Sequence, residues 1–470
     1  MKKMSSLAAL VFFSSAAPAL AIPGATAPIA TVPAAAASAT LLGDPALPEL
    51  ADPYLTFFRG SVILSGTAQY YLHFRTLSDF LNASPFQVFW NTFHLADGTP
   101  MAVDRSSAHS WDMKPAFWSR EREGLLWDAD RDRLPPRVVW YGGHMRPHGA
   151  EGGAPPQWPR DNYSRDVFAF TEEEPGRWIS RAESIFHERG DWPRPAGSYL
   201  GHRYGHQIVT PDDGRPAVFF EEVTATRPDG MPTVTKIFMD RMKTPFSAEG
   251  KPVELMSPVN PRTGKPWPST VREDGSALVE GPLYFRFHQG GSEWEAIGFS
   301  AGSYYASYTM NFAARKTSDG RKGRPYRPDL TDARDDLRDA GAGLRAVLGL
   351  YGGPGRPSVI VDRDGMAVTD SGGDLQVLFH GYRRNSPRAT RSVYLARLRI
   401  RRRGDGSLRF TLLPPRAPSG AEGRAWVRSL PAFPNGHAQA LPVQPKLRGA
   451  RVPLARPERA RGPAAAPDAG

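Results

Sequence analysis

Asp52 sits in LADPYLTFFRGSVILSGT and Glu280 in ALVEGPLYFRF, each beside a proline at the start of an apolar strand. Carboxyls suit acid–base chemistry because burial or a second charge tunes their proton affinity. Taken singly, Asp-Pro and Glu-Gly-Pro are also ordinary turn chemistry. His202 and His206 have the four-residue spacing of helical metal ligands, but Gly201 and Gly205 argue against a helix there. His380 stands near the end of the run GGPGRPSVIVDRDG…LQVLFHGYRR. The chain has no cysteine, which excludes disulfides, thiolate metal sites and cysteine nucleophiles. It has no Walker loop, dinucleotide fingerprint or metalloprotease helix motif.

Such residues need rigid elements to position them, and composition says which kind. The 470 residues include 46 Gly and 46 Pro, enough to break helices and to disfavour an all-α bundle. Aromatics at 11% rule out a wholly disordered chain. Residues 1–21 read as a secretory signal: Lys2 and Lys3, an apolar stretch from Leu7 to Phe13, then Ala19-Leu20-Ala21. Residues 22–47 read as an Ala/Pro-rich flexible leader, 48–415 as one even block, and 416–470 as a disordered basic tail. That tail holds nine Arg/Lys against three Asp/Glu, more than half of the net charge of +11. No segment reaches about 18 apolar residues, so no membrane span is expected. The expected address is the periplasm or the extracellular space.

Within the block, short apolar runs alternate with period two between Gly, Asp, Asn and Pro. The run RSVYLARLRIRRRGDGSLRFTLL, from Arg391, predicts a hairpin whose arginines form the solvated face of an edge strand, not a nucleic-acid site. One helical stretch is expected, from Leu330 to Leu348. A strand, a Gly/Asp turn and an aromatic strand recur in TPDDGRPAVFFEE at Thr210, HQGGSEWEAIGFS at His288 and DRDG…DLQVLFHGY at Asp362. So many short strands suit a sandwich, a large barrel or a propeller, and a recurring unit favours the propeller.

Taken in order, the motifs resemble glycoside hydrolase family 43, whose members are five-bladed β-propeller glycosidases. The resemblance rests on Ala51-Asp52-Pro53 with Gly66-Thr67, on Glu280-Gly281-Pro282, and on Phe299-Ser300-Ala301-Gly302-Ser303-Tyr304. Gly353 to Ser358 and Phe379-His380 match the family's fifth blade, and Trp111 to Pro115 loosely matches its second. The resemblance covers about residues 50–400 and implies an all-β, five-bladed propeller.

It also implies roles. Asp52 would be the general base and Glu280 the general acid of an inverting hydrolysis, in which such carboxyls stand roughly 6.5–9.5 Å apart. An acid of this kind needs burial or a neighbouring carboxylate to keep its proton. The family's third acid aligns with Gly205 or His206, in RYGHQIVTPDDG, where no Asp-Pro stands. His206 is then the candidate to orient Glu280, with Asp112 as an alternative. Trp111, Ser300 and Tyr304 are candidate substrate contacts; Trp118 and Tyr305 either stack on sugars or pack within strands. His380 aligns with a channel histidine that reaches a cation, commonly calcium, through water. No cofactor is required beyond that structural calcium. The implied substrate is a polysaccharide or oligosaccharide containing arabinose, xylose or galactose, cleaved by a chain whose default state is a monomer. A non-catalytic carbohydrate- or surface-binding propeller and a transglycosylating relative remain the alternatives.

Overall fold

A computed structural model of the chain describes residues 41–42, 50–103, 111–118, 137–147, 166–189, 199–302, 309–317, 355–382 and 391–413, with gaps of one to six residues within these stretches. The signal, most of the leader, the helical stretch Leu330 to Leu348 and the basic tail lie outside the described residues. What is described is nearly all β, in five sheets. Strand β1 (Leu41–Leu42) belongs to the last of them. Blade I contains β2 (Ala51–Phe58), β3 (Ser61–Thr67), β4 (Tyr70–Phe74) and β5 (Gln87–Trp90). Blade II contains β6 (Thr92–Leu95), β7 (Pro100–Val103), β8 (Trp111–Trp118), β9 (Arg137–Gly143), β10 (Met145–Pro147), β11 (Phe168–Glu174) and β12 (Arg177–Ser184). Blade III contains β13 (Arg203–Val209), β14 (Ala217–Thr226), β15 (Pro232–Thr244), β16 (Ser247–Ala248) and β17 (Val253–Met256). Blade IV contains β18 (Val279–Gln289), β19 (Ser292–Ala301) and β20 (Thr309–Lys316). Blade V contains β21 (Gly355–Val359), β22 (Leu375–Tyr382), β23 (Arg391–Arg402) and β24 (Leu408–Leu413).

The strands β2, β8, β13, β18 and β21 each pack on the next, and β21 returns to β2, so the five sheets close into a ring. This is a five-bladed β-propeller. Strand β1 adds to blade V, where it pairs antiparallel with β23, Leu41 opposite Tyr394. Leu41 and Leu42, placed by the sequence reading in a flexible leader, are therefore part of the last blade.

Apolar side chains fill the spaces between blades. One cluster joins Leu283, Phe285 and Phe312 of blade IV to Val377, Phe379 and Phe410 of blade V. Another joins Leu64 and Leu72 of blade I to Leu378 and Leu395 of blade V. Blades II and III meet through Trp118, Tyr141, Val218 and Phe220, and blades III and IV through Phe219, Ile237, Tyr284 and Ile297. The β18–β19 hairpin shows how local sequence serves this packing. Gly290 (φ 59°) and Gly291 (φ 72°) form a two-residue turn with both φ positive, which matches the twist of the strands. The arginine-rich β23 is not an edge strand, since β22 and β24 flank it, and Asp374 binds both Arg397 and Arg399.

Candidate active site

Each of the five strands that pack on one another around the ring carries the same irregularity. The pairing register slips between Ala51 and Tyr54, Trp111 and Lys114, Tyr204 and Gln207, Glu280 and Leu283, and Gly355 and Ser358. At each slip one residue takes left-handed backbone: Asp52 (φ 49°), Asp112 (58°), Gly205 (60°), Gly281 (63°) and Arg356 (55°). These five positions are structurally equivalent. Such bulges re-aim side chains and occur where strands must present them. The Arg356 guanidinium joins the set: it pairs with Asp112, lies against Gly205 and Gly281, and acts on Asp52.

Asp52 is held from three sides. Thr67 Oγ1 donates to its Oδ2 at 2.6 Å, and its own N–H donates to His380 Nδ1 at 2.9 Å. Burial works to raise the Asp52 carboxyl, but His380, Arg356, Arg391 and the Thr67 hydroxyl take it well below the usual range. Burial pushes His380 down to about 3, against the attraction of Asp52 and helped by Arg391 and Arg356. His380 is thus neutral near pH 7, and the lasting support for an ionised Asp52 comes from the two arginines and Thr67.

Thr67 also accepts the Asp112 N–H at 2.9 Å, which ties the second bulge to the first. Lys114 Nζ lies 2.9 and 3.0 Å from the two Asp112 oxygens and donates to the His206 carbonyl. Burial raises Asp112 and lowers Lys114, to about 8, while the Asp112–Lys114 pair opposes both shifts.

Glu280 immediately precedes the fourth bulge. Its Oε1 accepts from Arg272 Nη2 at 2.8 Å, and Arg272 Nε donates to the Gly302 carbonyl at 3.0 Å. The N–H of Gly281 donates to the carboxyl of Glu221, a buried residue on β14 opposite Tyr204. A Cβ at Gly205 would lie 2.6 Å from the Glu221 carboxyl carbon and 2.9 Å from Arg356 Nη1. The Glu221 carboxyl therefore fills the space that a side chain of the third bulge would take. Burial, then the charge of Glu280, pushes Glu221 well above the ordinary glutamate range. Solvent separates these acids into two kinds. Asp52 and Glu280 keep 16% and 14% of their side-chain surface, whereas Asp112 and Glu221 are buried.

The geometry revises several expectations. His206 follows the third bulge and is buried; its ring lies 3.9 Å from Asp112 and 6.3 Å from the Tyr141 ring, edge to face. Burial, Lys114 and Arg356 hold it well below the usual histidine range, so it is neutral and turned to blade II. The space expected of the third acid belongs to Glu221 instead. Asp112 joins the site as the partner of Arg356 and Lys114. The Ser300 hydroxyl is fully buried and accepts the Arg356 N–H at 2.5 Å, so it ties blade IV to blade V and does not face a substrate. Trp118 packs in the core between blades II and III. Trp111 provides the first backbone position of β8, and Tyr304 and Tyr305 lie outside the described residues. His202 and His206 flank the start of a strand, as Gly201 and Gly205 suggested. Sequence reasoning missed Glu221, Lys114 and Arg272. Arg356 stood inside a quoted motif, yet nothing in the sequence showed that it crosses the site.

No protein-family model matches the chain, and no curated protein matches it. Among solved structures it is similar to a thermostable family-43 glycoside hydrolase, with 16% identity, 81% of this chain and 99% of that one covered, and a TM-score of 0.46. It is also similar to an alpha-L-arabinofuranosidase from Lactobacillus brevis (13% identity, 80% and 98% covered, TM-score 0.46). A third is an exo-1,5-alpha-L-arabinanase from a bovine ruminal metagenomic library (13% identity, 79% and 99% covered, TM-score 0.41).

Proposed function

We propose that the chain is a glycoside hydrolase that acts by inversion, with Asp52 as general base and Glu280 as general acid. The observation that carries this reading is the division of the acids. Two carboxyls reach solvent at and beside the bulges of blades I and IV, one of them held ionised and the other set beside a carboxyl with raised proton affinity. Carboxyls set in unlike environments are the arrangement that lets one serve as base and another as acid. In the reaction, Asp52 takes a proton from water as the water oxygen bonds to the anomeric carbon. Glu280 gives its proton to the departing oxygen as the glycosidic bond breaks. Glycans containing arabinose, xylose or galactose are the proposed substrates.

Sugar release from a glycan panel, with Asp52→Asn and Glu280→Gln alongside, tests the reading. Each substitution removes a proton-transfer group and is expected to lower kcat by about 10²–10⁴-fold. NMR of the first-formed product should show an inverted anomeric centre. Full activity in Glu280→Gln would overturn the assignment.

One observation favours a second reading, a propeller that binds glycans without cleaving them. Glu280 sits in an ion pair with Arg272, and an ionised carboxylate has no proton to give. Glycan binding by calorimetry with no release of sugar would support that reading.

Export belongs to the proposal as well, on residues 1–21. Protein recovered outside the cytoplasm should begin at Ile22. For calcium, no group of three or more metal-ligating His, Asp or Glu side chains converges among the described residues. His380 Nδ1 is taken by the Asp52 N–H. A cation held through His380 would use Nε2 and water, and no step above is routed through it.

A further inference from the structure

The bulges of blades III and IV carry no side chain, and at blade III a carboxyl from the neighbouring strand fills the gap. The Glu221 carboxyl, from the next strand of the same blade, lies where a Gly205 side chain would begin. It accepts the N–H of Gly281, the residue bonded to the proposed acid. Its charged surroundings come from three other blades: Glu280 of blade IV, Arg356 of blade V and Asp112 of blade II.

We propose that Glu221 is a positioning residue that takes over, from β14, the work of the absent third acid: it fixes the Glu280–Gly281 turn and sets a second carboxyl beside the acid. This rests on the glycosidase reading above. Two interacting carboxyls release their protons in steps that belong to the pair. Burial of Glu221 and its repulsion with Glu280 raise the proton affinity of Glu221 well above that of an ordinary glutamate. Arg356 opposes that effect. The glycine at position 205 is what admits the relocated carboxyl, since a Cβ there would overlap it.

The test is an exchange of positions. Glu221→Ala should lower kcat by about 10²-fold with KM little changed. Adding Gly205→Asp to Glu221→Ala should restore at least tenfold of that loss. Asp is compatible with the bulge, as Asp52 and Asp112 show at φ 49° and 58°. Glu221→Gln keeps an oxygen for the Gly281 N–H and removes the titration. It should leave Tm nearly unchanged and move the alkaline limb of kcat/KM to lower pH. Unchanged kcat in Glu221→Ala, or an unmoved alkaline limb in Glu221→Gln, would overturn the proposal. A separate readout guards against failure of the glycosidase reading itself. With 13C-carboxyl glutamate, the Glu221 signal should titrate above the ordinary range in the full chain and fall toward it in Glu280→Gln. If it titrates identically in both, the inference is wrong whatever the activity; if it falls while no glycan is cleaved, only the glycosidase reading fails.

Discussion

His380 makes a measurable claim about stability in acid. Its imidazole is buried against Asp52, Arg391 and Arg356, with Nδ1 accepting the Asp52 N–H, and it titrates at about 3 instead of 6.5. Between those values the unfolded chain binds a proton that the folded chain does not. Stability must therefore fall as pH falls, by up to about 1.4 kcal/mol per pH unit for this one group. Integrated from pH 7 to 4, the loss due to His380 is about 3 kcal/mol. Other buried groups add to the pH dependence, His206 with the same sign and Glu221 with the opposite one. A difference measurement removes them. His380→Asn offers an amide oxygen to the Asp52 N–H and has no proton to bind. Urea unfolding of both proteins at pH 7 and pH 4 should show the variant gaining about 3 kcal/mol relative to the native chain on acidification. A stability difference that is the same at both pH values would refute the reasoning, because it would mean that His380 binds its proton equally well folded and unfolded.

Three substitutions probe the rest of the site. Thr67→Val removes the donor to Asp52 and the acceptor for the Asp112 N–H, at a cost of about 1–3 kcal/mol by chemical denaturation. The same change takes away support for the ionised Asp52, so the acidic limb of kcat/KM should move to higher pH. Gly281→Ala puts a Cβ 2.7 Å from Arg356 Cζ at a φ of 63°, which should cost about 1–3 kcal/mol and lower kcat by displacing the guanidinium. Lys114→Met leaves Asp112 buried with Arg356 as its remaining cation; unfolding should show a loss near the lower end of the roughly 3–5 kcal/mol typical of a broken buried pair.

Much of the architecture was legible because it follows from local pattern. The three repeats read from Thr210, His288 and Asp362 are the hairpins joining first to second strand in blades III, IV and V, namely β13–β14, β18–β19 and β21–β22. Alternation and turn glycines mark them without help from distant residues. Asp52 and Glu280 were legible for a related reason: each stands beside a proline at a strand start, where backbone leaves the regular ladder. Glu221 was not. It lies in the even run AVFFEEVTAT, and its neighbour Glu222 is equally acidic; only the pairing of Tyr204 with Glu221 decides which carboxyl turns inward. Glu222 instead takes Arg203 at 3.0 Å. His206 misled because sequence alignment locates a position along the chain, while the space above that position was already filled from the neighbouring strand.

The five bulges explain why the acids of this site stand where they do. Left-handed backbone costs a residue with a side chain about 1–2 kcal/mol, and glycine almost nothing. The ring accepts that cost at Asp52, Asp112 and Arg356, and each is locked by partners: Thr67 and His380, Lys114, and the Ser300 hydroxyl with Asp112. At the two remaining bulges the side chain is absent, and the space is used by a neighbour. Gly281 makes room for the Arg356 guanidinium, and Gly205 for the Glu221 carboxyl. An alanine at either place would overlap a charged side chain and push it from the centre. The two glycines are thus as specific a part of the site as its acids: they let charged side chains from blade V and from the second strand of blade III meet around the turn that carries Glu280. A fivefold scaffold acquires an asymmetric centre in this way, by varying one residue per blade at a shared kink and letting the empty positions be filled from the side.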